Sequence, residues 1–115
     1  MTVLTEIAKE KSTYVVTCVM TDSTGAAVIP SSITWTLSKD ADTIINDREN
    51  VEVSVPASTI KIVLSGNDLA VLPSENNTSV ERILTVNAVY DSDLGSNLPI
   101  KDSAKFWIEN IANVA

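Results

Sequence analysis

A two-layer antiparallel β-sandwich is the fold this sequence predicts, on three observations. Short runs of alternating apolar and polar residues recur along the chain. Thr, Val, Ile and Ser are abundant while only three residues are Gly. Clusters of turn-forming residues separate the runs. Alternation with period two puts one side of a strand into a core, and β-branched side chains favour that extended backbone. Strands that are apolar on one face imply an antiparallel sheet, which must bury that face against a second sheet.

The elements follow in order. "STYVVTCVMTD" places Tyr14, Val16, Cys18 and Met20 on the core face and Val15, Thr17, Val19 and Thr21 on the other. "STGAAVIPSS" supplies turn residues around Gly25 and Pro30. "SITWTLS" points Ile33, Trp35 and Leu37 inward, where Trp35 serves as a large plug between the sheets. "KDADT" turns the chain, and "TII" and "VEVSV" are short strand candidates around "NDREN". "TIKIVLS" sends Ile60, Ile62 and Leu64 inward. "GNDLAVL" suits one helical turn capped by Asn67 or Asp68. "VERILTVNAVY" lines up Leu84, Val86, Ala88 and Tyr90, and "DSDLGSNLP" reads as a long turn. "AKFWIEN" buries Ala104, Phe106 and Ile108 and leaves Trp107 outside. "VLTEIA" fits a first strand or a helical turn. About seven short strands with regular turn signals read as an immunoglobulin-like or fibronectin-like sandwich, with a small closed barrel as the competing architecture.

The chain has 115 residues, the size of one domain spanning 1–115, with residues 1–12 and 110–115 as candidate extensions. A domain of this length buries roughly two thirds of its unfolded surface. It therefore needs neither metal nor disulfide to stand. Cys18 is the only cysteine and the net charge is −7. No intramolecular disulfide is possible, and the acidity argues against nucleic-acid binding, which needs clustered Lys and Arg. The opening "MTVLTEIAKEK" lacks the pattern of a signal peptide, and no apolar run approaches a membrane span. The expectation is cytosolic synthesis, with no membrane partner.

Candidate chemistry is sparse. There is no histidine, which removes Ser-His-Asp and Cys-His arrangements and histidine metal sites. Cys18 lies on a core face, where burial raises a thiol pKa. The carboxylate pairs Asp40/Asp42 and Asp91/Asp93 sit in turn sequences without a suggested pocket. Asp91, Asp93 and Asn97 are weak calcium candidates: the full calcium-loop pattern would have Gly sixth and Glu twelfth, whereas Gly95 is fifth and Asp102 twelfth. Asn76 and Asn77 form overlapping sequons that read as loop residues. The expectation is a non-enzyme without cofactor.

Surfaces carry more information. Strand parity turns Trp107 outward, with Ile83 and Val89 as candidate neighbours in an interface patch. A Trp packed at a rim by its own loops is the alternative. Ile111 and Val114, beyond the last strand, are further docking candidates.

Residues 10–53, together with "TIKIVLSGNDL" and "ERILTVNAVYDSDLG", resemble immunoglobulin-like domains of tailed-bacteriophage virion proteins. The matching pieces are "STYVVT", the turn at Thr21, Asp22 and Gly25, and "TWTL" with Trp35. The resemblance implies a structural subunit that decorates or connects the capsid or neck. It implies partners among other virion proteins or further copies of itself, and assembly in the bacterial cytoplasm. Alternatives on the same scaffold are a tail, baseplate or fibre component, or a receptor- or carbohydrate-binding module using loops 39–50 or 91–99. The family has no catalytic motif to carry over.

Overall fold

Sequence alternation resolves into two sheets in the computed structural model, which describes residues 2–40, 42–72, 75 and 78–111. In chain order the strands are β1 (Thr2–Val3), β2 (Ala8–Lys9), β3 (Thr13–Val19), β4 (Ser32–Ser38), β5 (Val51–Glu52), β6 (Thr59–Ser65), β7 (Ser79–Ser92) and β8 (Gly95–Glu109). A 3₁₀ turn, Gly66–Leu69, follows β6. The large sheet runs β1-β8-β7-β4-β5, with β2 also on β8; the small sheet is β3-β6. All pairings are antiparallel except those of β1 and β2, which lie parallel to β8. The fold is thus an all-β two-sheet sandwich.

Strand parity was correct where the runs are long. From the large sheet Ile33, Trp35, Leu37, Leu84, Val86, Ala88, Phe106 and Ile108 are buried, and from the small sheet Tyr14, Val16, Ile60, Ile62 and Leu64. The Tyr14 ring stacks on Phe106 with centroids 5.0 Å apart, and its hydroxyl donates to the Glu6 carbonyl at 2.8 Å. Trp35 belongs to this core and is 8% exposed, in keeping with its reading as a plug. Each large apolar side chain so buried contributes about 1.5–3 kcal/mol.

Several local expectations are corrected. "VEVSV" pairs only over Val51–Glu52, and "TII" makes a lone bridge, Ile44 to Ser38, because the 39–50 connection bonds mostly within itself. The N-cap of the 3₁₀ turn is Ser65 rather than Asn67 or Asp68. The Asp68 carboxylate instead reaches back to accept the Ser65 N–H at 3.2 Å. "DSDLGSNLP" is not a long turn: β7 and β8 continue through it and Ser92 faces Gly95, leaving Asp93 and Leu94 as a two-residue hairpin loop. A bulge between Tyr90 and Ser92 absorbs the register shift, and Asn97, at φ +52°, supplies the left-handed residue. A hairpin with strands of 14 and 15 residues spans about 45 Å at the usual strand rise, which explains the 53 × 24 × 22 Å outline.

Candidate functional site

Trp107 faces outward beside fully buried Phe106, as parity requires, and is itself half-buried. Glu81 on β7 lies directly opposite it, and Ile83 is the diagonal neighbour, paired with Lys105. Lys105 Nζ and Glu81 Oε1 form an ion pair at 2.5 Å beside the ring. Trp107 borders a shallow hollow with Lys39, Asp40, Glu75, Ser79, Val80 and Glu81. Val89 is not part of this patch. It pairs with Ser32 on one side and Pro99 on the other, six residues along β7 from Ile83, or about 20 Å at the usual rise. Parity placed both on one face but carried no distance along the strand.

Ile111 is half-buried, and its N–H donates to Glu10 Oε1 at 3.0 Å, tying the end of the chain to the β2–β3 turn. Val114 and the sequon residues Asn76 and Asn77 lie outside the described residues. At the hairpin tip Asp91 Oδ1 accepts the Asn97 N–H at 2.8 Å, a bond of the bulged turn itself. Among the described residues no group of three His, Cys, Asp or Glu side chains is placed to hold a metal. Asp40 Oδ1 accepts the N–H groups of Asp42 and Thr43, both at 2.9 Å, which folds the start of the 39–50 connection and lowers the Asp40 pKa. Cys18 lies on the core face yet is half-buried. Burial first, and then the nearby Asp102 charge, raise its thiol pKa.

Two buried ionic networks escaped the sequence reading. Arg82 is fully buried between the inward residues Val80 and Leu84. Its Nη1 donates to Glu75 Oε2 at 2.9 Å and to the Glu81 carbonyl at 2.8 Å. Its Nη2 donates to Glu75 Oε1 at 2.7 Å and to the Ala70 carbonyl at 3.2 Å. Arg82 Nε has no partner among the described residues. The Arg82 bonds hold the Glu75 carboxyl below its ordinary pKa, against the opposing effect of burial. At Asp68, 3% exposed, burial is the largest influence and acts upward. The bonds from Arg48 Nε and Asn46 Nδ2, both 2.8 Å, and from Ser65 N outweigh it, so the pKa is lowered. These networks tie Asp68 to Asn46 and Arg48, and Ala70 and Glu75 to Arg82 of β7. The signal for Arg82 was present: alternation extended back from Leu84 puts residue 82 inside.

The remaining exterior is electrically divided. Within the strands five acids balance five bases, which leaves ten acids and three bases, and hence the whole net charge of −7, in the connections. With Arg82 buried, the faces and edges of the sheets carry five acids and four bases and are close to neutral. On the outer face of the small sheet Val15 pairs with Val63, and both are exposed, as is Val19. Between β3 and β8 a slot of about 360 Å³ opens to the core, floored by Val16, Met20, Leu84, Val86 and Ile100.

Searches against family models, curated proteins and solved structures found no match to this chain.

Proposed function

We propose that the chain is an immunoglobulin-like structural subunit of a tailed-bacteriophage virion, decorating or connecting the capsid or neck through its exterior. The virion part of this reading rests on the resemblance of residues 10–53. The immunoglobulin-like part draws support from strand order: β3 and β6 face a sheet in which β8, β7 and β4 are neighbours and the N-terminal strands lie parallel on the last strand. The observation that carries a docking role is Trp107, a half-buried, outward-facing aromatic beside Ile83 on a sheet face whose other outward residues are mostly Thr, Ser, Asn and Lys. Tryptophans of this kind anchor interfaces.

The test is Trp107→Ala. The expected outcome is an unchanged unfolding midpoint, within about 1 kcal/mol, and reduced incorporation into particles assembled from the genome that encodes the chain. Full incorporation would remove this face from the account.

A further inference from the structure

We propose that the slot between β3 and β8 receives one extended, uncharged strand of a partner protein, which joins the small sheet along the free edge of β3. This rests on reading the chain as a binding module, but it uses a different surface from the Trp107 face.

The backbone supplies the first argument. The Gly66 N–H donates to the Ser12 carbonyl at 3.1 Å and the Met20 N–H to the Ser58 carbonyl at 2.6 Å. In an antiparallel pair, residues alternate between bonding the partner strand and facing away from it. The even-numbered residues of β3 therefore bond β6. Thr13, Val15, Thr17 and Val19 aim their N–H and C=O groups at an edge with no strand partner among the described residues. Such an edge is a template for an added strand. Across the slot, β1 and β2 cover β8 only at residues 104–105 and 108–109.

The floor supplies the second argument. Cys18 sits between buried Val16 and Met20 on the inward face, yet is only half-buried because the slot lies open above it. An incoming strand with small β-branched side chains at alternate positions would close it.

Charge selects the occupant. No Lys, Arg, Asp or Glu occurs from Ser12 to Thr21 in a chain of net charge −7. Among the described residues the charged ones lining the slot are Lys101 and Asp102, one of each sign and both exposed at its rim. Along β3 itself an acidic segment meets no base and a basic one no acid. Natural edges are usually protected by charge, so an uncharged edge of this length suits an uncharged strand. Shape argues against a second copy. β3 lies over β8, with Tyr14 stacked on Phe106, and β1 and β2 continue the large sheet past β8, so a second β3, bringing its own large sheet, would collide with them. A lone strand has no such layer.

The probe is a synthetic peptide of alternating threonine and valine, solubilised by a polyethylene glycol tail. The first readout is alkylation of Cys18 by iodoacetamide, and the second is amide exchange at Val15, Thr17 and Val19. At a peptide concentration ten times its Kd, both rates are expected to fall about tenfold by mass action. Thr17→Pro removes an N–H that points at the edge, leaving the β3–β6 ladder intact, and should abolish both effects. Thr17→Lys is a second variant whose exposed side chain puts charge on the edge while sparing the fold. Unchanged alkylation at millimolar peptide, or equal protection in both variants and the parent, overturns the proposal. Dimerisation of the chain that itself shields Cys18 overturns it in favour of a second copy. Loss of incorporation by Trp107→Ala with no effect of Thr17→Pro would retain the Trp107 face alone.

Discussion

Removing the Glu75 carboxylate is the sharpest perturbation this architecture offers. Glu75→Ala deletes three hydrogen bonds, two from Arg82 and one from the Leu72 N–H. It leaves a fully buried guanidinium held, among the described residues, by the Glu81 and Ala70 carbonyls alone. Breaking a buried ion pair by removing one partner costs about 3–5 kcal/mol, because an uncompensated charge stays in the interior. A domain of this size is stable by about 5–15 kcal/mol in total, so the variant should sit close to unfolding. The expected partner experiment is Glu75→Leu with Arg82→Met. It removes both charges together and should regain most of the loss, since well-packed apolar replacements of a buried pair are neutral or stabilising. Urea unfolding followed by the fluorescence of Trp35 and Trp107 reads both. A cost below about 1 kcal/mol for Glu75→Ala, the range of an exposed pair, would refute the reasoning. So would a double variant no more stable than the single one.

Two other outcomes follow from the same geometry. Asp68 and Glu75 have folded-state pKa values below their ordinary ones. Their stabilisation is therefore complete above the ordinary carboxylate range of about 4 and is lost as pH falls through the depressed values. Unfolding free energy should be level from neutral pH down to about 5 and drop below about 4, with a shallower drop in Asp68→Asn, as acid titrations with urea would show. Trp35→Ala empties the centre of the core and should cost about 3–5 kcal/mol in the same unfolding assay.

The β-sandwich was legible because β3, β4, β6 and the inward residues of β7 and β8 alternate strictly, and period two is a local signal. Trp107 was legible as outward for the same reason. Its company was not: Ile83 and Val89 share parity, yet only the register of β7 on β8 shows that Val89 lies at the far end. β1 and β2 pair over two residues each, too short for any periodicity. Asp68 is bonded to residues 20 and 22 positions away, a pairing created by the fold and invisible in spacing. Arg82 stands at an inward position by the same alternation, and a charged residue there is itself the sign of a buried partner.

Hydrogen exchange on the free chain and on the chain inside its proposed particle bears most directly on the idea that function lies in the exterior of an unreactive sandwich. The account predicts identical protection of the core segments of β4, β6 and β7 in both states. New protection should be confined to the Trp107 face or the free edge of β3. Exchange that is the same everywhere in the two states, or new protection only within the core, would contradict it.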